Sequence, residues 1–335
     1  MKDGRVILAS GQNLRRLALW LLLLSLLVVA LGSGPNEWRA AFEHNAGYLA
    51  LNRALATSNR DGGPGDVGGV AALESAAALR PDNPATWRAL GYLYLLGGDE
   101  PAAVTAWRRA GSMLPELLHH AQAAEQAGRA AEAQAWYRRL PLVASAEPAA
   151  WLELGMYYER AGDWAAAMAT HQSGLQNVAA NSDLLYHLAL GAQRAIPPDW
   201  PAILQYTDRA LATDAFIHDW SRLRSHRLRG EALAALGRLA EARKEFAWVV
   251  ERQPDDYWAT LNLAQLVWQV DGDHLEAERL FRATLLLEPD TKWGYLYLAQ
   301  LYADLGRPDE ARPLFERVSE LDPSDTAAST WLAQN

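Results

Sequence analysis

The side chains able to do chemistry in this sequence are few, and their spacing argues against most of the chemistry they suggest. His119 and His120 are adjacent. On a helix they point about 100° apart and do not easily ligate one metal together, so a surface or interface role suits them better. The stretch DGGPGDVGG, Asp61–Gly69, has the glycines of a phosphate loop without its Gly-Lys-Ser/Thr ending, and reads as a flexible linker. Asp255, Asp256 and Asp290 each follow a proline, Pro254 or Pro289, where helix capping explains an acid without acid–base catalysis. There is no cysteine, so disulfides, thiolate metal sites and thiol nucleophiles are all excluded. No His-Glu-x-x-His arrangement occurs. We therefore expect no catalytic residue, no cofactor site and no metal site, and read the chain as a non-enzyme. The run SRLRSHRLR, Ser221 to Arg229, is an anion-attracting spot in a chain of net charge -9. Its simpler reading is an exposed helix face with carboxylate neighbours. The acidic balance argues against nucleic acid as a partner.

The strongest pattern contains no chemistry. WRALGYLYLLGGDEPAAVTAWRRAGSMLP, Trp87 to Pro115, sets Trp87, Leu90, Gly91 and Tyr94 on one helical face by three- and four-residue spacing. Gly97-Gly98 breaks that helix, Asp99 caps the next, and Ala103, Trp107 and Ala110 form its inner face before Pro115 closes it. Small residues let two helices cross closely, while the aromatics fill the wider space around the crossing. Burying each ring contributes roughly 1.5–3 kcal/mol. Pro81, Pro115 and Pro148 are spaced by 34 and 33 residues, and Pro254, Pro289 and Pro323 by 35 and 34. A period near 34 marks stacked two-helix units, none of which buries its apolar faces alone. The 14 tryptophans suit inter-helix packing or contact anchoring.

The scheme returns at Trp151, Leu154, Gly155, Tyr158, Gly162 and Ala167, and again at Gly230, Gly237, Ala242, Phe246 and Pro254. Leu263, Ala264, Ala277, Phe281 and Pro289 make a further copy, and Leu298, Ala299, Tyr302, Gly306, Ala311, Phe315 and Pro323 another. These residues resemble the tetratricopeptide repeat (TPR) signature over about residues 36–335. The resemblance implies an all-α, right-handed solenoid of helix-turn-helix units. Three stretches depart from the pattern. In 116–147 the first helix is expected to be short, with His120 and Ala121 where Leu-Gly belongs. In 182–222 the turn becomes the rigid AIPPDWP, up to Pro201. In 36–81 the glycine-rich loop joins helix-like segments of a degenerate unit. Regular repeats are expected over 82–181 and 223–323, and a capping helix over 324–335 with Trp331 covering the last core.

In TPR proteins, positions 2, 5, 9 and 12 of the first helix line the concave groove. Carried over by position, this selects Trp258, Gln265 and Trp268 in one unit, Trp293, Leu296 and Gln300 in the next, Arg224 and Arg227 in the unit before, and Arg88 and Tyr92 earlier. A groove of aromatics and arginine suits capture of a peptide or helix. Trp258 and Trp293 equally suit shielding of the seams between repeats.

Residues 17–31, LALWLLLLSLLVVAL, follow a basic tail at 1–16 that ends in Arg15-Arg16. Extended to 17–34, the stretch reads as one transmembrane helix, and a cleaved secretory signal is the alternative. The excess of Lys and Arg before it keeps the N-terminus cytoplasmic and places the repeats on the extracytoplasmic side. The combined expectation is a membrane-anchored scaffold, bacterial in kind, that holds a protein partner in its groove. Two other readings stay open: a cell-envelope factor whose tryptophans stack on polysaccharide or peptidoglycan, and self-association through the coil's ends.

Overall fold

The computed structural model describes residues 34–61 and 69–335, and among these the chain is all-helical, with seventeen α-helices and one π turn. Most of the expected anchor at 17–34 and of the glycine-rich loop lies outside them. No helix among the described residues is long and apolar enough to cross a membrane.

The chain folds as two compact units, and the boundary falls between Ala144 and Ser145, inside the stretch expected as one regular array. The first unit pairs α1 (Pro35–Asp61) with α2 (Val70–Leu79), α3 (Pro84–Leu96) with α4 (Glu100–Ala110), and α5 (Leu114–Gln126) with α6 (Ala130–Val143). The second pairs α7 (Pro148–Arg160) with α8 (Trp164–Asn177), α9 (Ser182–Gln193) with α10 (Trp200–Thr213), and α11 (Asp219–Ala235) with α12 (Leu239–Arg252). It continues with α13 (Tyr257–Leu266) beside α14 (His274–Leu287), α15 (Lys292–Asp304) beside α16 (Pro308–Leu321), and the single α17 (Thr326–Gln334). The Trp331 ring of α17 stacks on Phe315 with centroids 4.6 Å apart.

Local chemistry sets these boundaries. Asp99, Asp163, Asp199, Asp256 and Asp273 each accept a backbone N–H bond at the start of a helix. Asp255 and Asp290 do not cap; Asp290 is exposed and lies 3.6 Å from Arg317. The turn inside a pair carries glycine at positive φ, as at Gly98 (83°) and Gly162 (78°), where a side chain would be strained.

Two expectations about proline and helix length need correction. Pro115 and Pro148 do not close helices; they stand in the first turns of α5 and α7, where proline's missing N–H leaves nothing unsatisfied. The α4 helix ends instead at Gly111, at φ 80°. As a result α5 is a full 13 residues, and the short helix is the 11-residue α4 that ends the repeat before it. The even proline spacing concealed this, because the prolines occupy different places in their repeats. In the second unit α11 starts at Asp219, four residues before the expected boundary at 223.

The pairs share one packing device. Sixteen residues after Gly91, Gly155, Gly230 and Ala299 stand Trp107, His171, Phe246 and Phe315, all buried. The bulky side chain occupies the space beside the small one. A Cβ on Gly91 would lie 2.2 Å from Trp107, and one on Gly230 would lie 2.9 Å from Phe246. In α13/α14 the offset from Ala264 to Phe281 is seventeen, and the π turn Val267–Asp271 absorbs the extra residue.

Candidate functional site

The second unit contains a cavity of about 490 Å³ lined by Trp200, Glu231, Ala234, Ala235, Trp258, Leu261, Asn262, Gln265, Trp293 and Tyr297. Its walls come from the first turn of α10 and from α11, α13 and α15. Trp258 and Trp293 are the second residues of their helices and keep 41 % and 37 % of their surface exposed, so both indoles are open to a ligand. Their relative position is fixed beneath the rings: the Gly294 N–H donates to the Tyr257 hydroxyl at 3.2 Å. Burial pushes the Tyr257 phenol up to about 12, so that oxygen stays neutral. Gly294 is required there, because a Cβ would lie 2.5 Å from Thr284 Oγ1. Trp293 stacks with Tyr297, centroids 6.2 Å apart at 23°, and the Lys292 ammonium sits 4.7 Å from the Trp293 ring centroid.

Glu231 supplies the charge. Burial pushes its carboxyl above the ordinary carboxylate value, against the opposing field of Arg227 and a hydrogen bond from Gln193 Nε2 at 2.7 Å. Arg227 is only loosely engaged, 3.8 Å from Glu231 and 3.8 Å from Asp256. One arginine thus serves two carboxylates beside an aromatic wall.

Of the ten residues selected by repeat position, Trp258, Gln265 and Trp293 line this cavity, and the other seven do not. Leu296 is 5 % exposed and belongs to the core. Trp268 falls in the π turn, whose wider winding rotates it toward Phe281, ring centroids 6.3 Å apart. Gln300 is half-buried outside the lining. Arg224 lies over Trp220 at 5.1 Å, and Arg227 reaches the cavity only through Glu231.

In the first unit, Arg88 pairs with Glu116 at 3.2 Å, and the Tyr92 hydroxyl donates to the same carboxylate at 2.7 Å. That hydroxyl also lies 3.0 Å from His120 Nε2. His120 is accordingly not a free surface group; it stacks on Trp136 at 4.9 Å. The basic run at 221–229 is consumed by carboxylates in the same way: Arg222 by Asp214, His226 by Glu245, and Arg229 by Asp208 and Glu245.

Trp200, Glu231, Asn262 and Tyr297 were not selected from the sequence, although signals for most of them existed. Asn262 and Tyr297 are 35 residues apart, the same interval that relates Trp258 to Trp293. Glu231 follows Gly230 as Gln265 follows Ala264, so it holds the same repeat position. Trp200 had no periodic signal. It stands within the proline-rich stretch that breaks the pattern, and opens the helix that follows. One cluster of potential ligand atoms was not singled out in the sequence. Glu159, His171 and His187, distant in sequence, bring their side-chain heteroatoms within 4.8 Å of one another.

Tetratricopeptide repeat family models match residues 227–293 and 271–334. The chain therefore carries tetratricopeptide repeats in its C-terminal third, which include α13, α15 and most of the cavity wall. No curated protein matches it in sequence. Among solved structures it is similar to MamA, residues 41 to the end, from Desulfovibrio magneticus RS-1, at 16% identity and TM-score 0.45, over 53% of this chain and 97% of that one. It is also similar to YrrB, described as a TPR protein with an unusual peptide-binding site, at 20% identity and TM-score 0.43, over 53% of this chain and 88% of that one.

Proposed function

We propose that this chain is a membrane-tethered scaffold whose second unit holds a protein segment in the cavity between α10, α11, α13 and α15. The observation that carries the reading is the lining: four aromatic side chains, two of them half-open indoles, around one half-buried carboxylate. Such rings supply contact area at low entropic cost, and a desolvated carboxylate selects what lies between them. The fitting occupant is a peptide or helix that sets an apolar side chain against Trp258 and Trp293 and turns a cation or N–H donor toward Glu231. Its charge would complete the neutralisation that Arg227 leaves unfinished. The role is recruitment rather than turnover.

The tether rests on the apolar residues 17–31 with their preceding arginines, and the same charge asymmetry supports an extracytoplasmic position for the repeats. Affinity capture with the full chain, compared with Trp258→Ala, Trp293→Ala and Glu231→Gln variants, tests the groove. Loss of one discrete partner from all three supports it, and undiminished capture by all three refutes it. Titrating soluble glycans against tryptophan fluorescence tests the carbohydrate reading, which saturable quenching would favour. Protease added to intact spheroplasts tests the orientation, and full protection of the region after residue 35 would overturn it.

A further inference from the structure

Away from the cavity, three consecutive helices of the second unit send polar side chains to one point in the core. Glu159 lies at the end of α7, His171 in α8 and His187 in α9. Glu159 Oε1 is 2.9 Å from His171 Nε2 and 2.8 Å from His187 Nδ1, and Oε2 is 3.1 Å from that same Nδ1. The two imidazoles stack with centroids 4.9 Å apart at 24°. Both histidines are buried, and the Glu159 side chain keeps 12% of its surface open.

The placement of His171 is what makes the cluster informative. It stands at the repeat position that Trp107, Phe246 and Phe315 fill in three other pairs, and that Tyr137 and Thr207 fill in α5/α6 and α9/α10. The fold makes unusual room for it: a Cβ on Gly155 would lie 2.1 Å from His171 Cε1. A buried imidazole there costs desolvation that an aromatic ring avoids, so the position has been given to chemistry at the expense of packing.

We infer that Glu159, His171 and His187 form a binding site for a divalent transition metal of the zinc type. Two imidazole nitrogens and one carboxylate oxygen are the donor set such ions favour, whereas magnesium and calcium take mostly oxygen ligands. Around a tetrahedral ion with bonds of about 2.0–2.1 Å, ligand atoms stand about 3.3 Å apart, a few tenths of an ångström beyond the distances from Glu159 Oε1 to the two imidazole nitrogens. Small rotations of the three side chains open that space. The three ligands leave a fourth position for water.

Proton balance is simple. Each imidazole stays neutral, its proton moving from the nitrogen that faces Glu159 to the other ring nitrogen, and the carboxylate stays ionised. His171 Nδ1 is buried without a hydrogen-bond partner. This site therefore orients His171 by its fit against Gly155, not by the outer hydrogen bond that usually steers a metal-bound imidazole.

The test uses the full chain, stripped with a chelator and titrated with Co²⁺. One equivalent should produce the visible absorption of a four- or five-coordinate cobalt centre, Zn²⁺ should displace it, and either ion should raise the unfolding temperature. His171→Phe introduces the aromatic type of three other pairs and should keep the helix content while weakening binding more than about 100-fold. His187→Gln, away from that packing position, should weaken it similarly. Absence of a one-to-one cobalt spectrum in the wild type, or a spectrum unchanged in both variants, overturns the assignment.

Discussion

Helix pairs α7/α8 and α11/α12 have the same construction and opposite interiors. In each, a glycine of the first helix faces a bulky buried residue sixteen positions later: Gly155 with His171, Gly230 with Phe246. Phe246 needs only apolar neighbours. His171 needs Glu159, and Glu159 in turn takes His187 as a second partner. In the α11/α12 pair, the position of Glu159 is held by Ala234, which lines the cavity. Both pairs therefore place bulk at this position, while polarity is decided by residues around it. One pair uses that freedom for a buried polar cluster, and the other uses it to hollow a wall.

The comparison breaks most sharply if the two interiors are exchanged. Phe246→His places an imidazole opposite Ala234 with no carboxylate to meet it. It should cost about 3–5 kcal/mol, from lost ring burial and an unpaired buried polar group, read as a fall in the urea midpoint. Gly230→Ala drives a methyl group to 2.9 Å from Phe246 and should cost about 1–3 kcal/mol by the same measurement. An increase in stability would show that the contact is slack. With divalent ions chelated, His171→Phe should change stability by less than about 1 kcal/mol, because the lost hydrogen bond is offset by ring burial while His187 still holds Glu159. A large loss there would mean that the cluster is a structural keystone even without an ion.

The weakest effect belongs to a more open counterpart. Burial raises the Glu159 carboxyl, but its two histidine hydrogen bonds outweigh that and hold it at about 2. Asp322 is also held at about 2, by hydrogen bonds from Lys292 and Ser324, with burial only a minor opposing influence. Lys292 bridges Asp322 and Asp325 at 2.7 and 2.8 Å, tying α15 to the start of α17. Because the folded value of Asp322 lies below the ordinary 3.8, its contribution is complete above that value. It is then lost as the pH falls toward 2. Amide exchange in α17 should accelerate slightly over that range, and Lys292→Met should weaken the dependence, leaving the part held by Ser324. Screening by solvent keeps the effect small.

Much of the architecture was legible because it is local. Glycine–aromatic spacing, aspartate caps and a period near 34 are written within single repeats, and the groove positions implied by the tetratricopeptide resemblance included Trp258, Gln265 and Trp293, which line the cavity. The proline interval misled, since Pro115 and Pro148 keep the period while standing in first turns, not in loops. Trp268 misled for a related reason. A position rule assumes every helix winds alike, and the π turn at Val267–Asp271 breaks that assumption.

By itself the sequence determined that this chain is built of paired helices, where most of them turn, and which small residue faces which large one. Helix formation, capping and close crossing are decided by neighbours within a few tens of residues. Only the tertiary structure decided that Trp200 and Glu231 share a cavity with the two indoles, and that Glu159, His171 and His187 meet. Those encounters join side chains from three or four different helices. Their geometry depends on how successive helices are stacked, which no interval along the chain records.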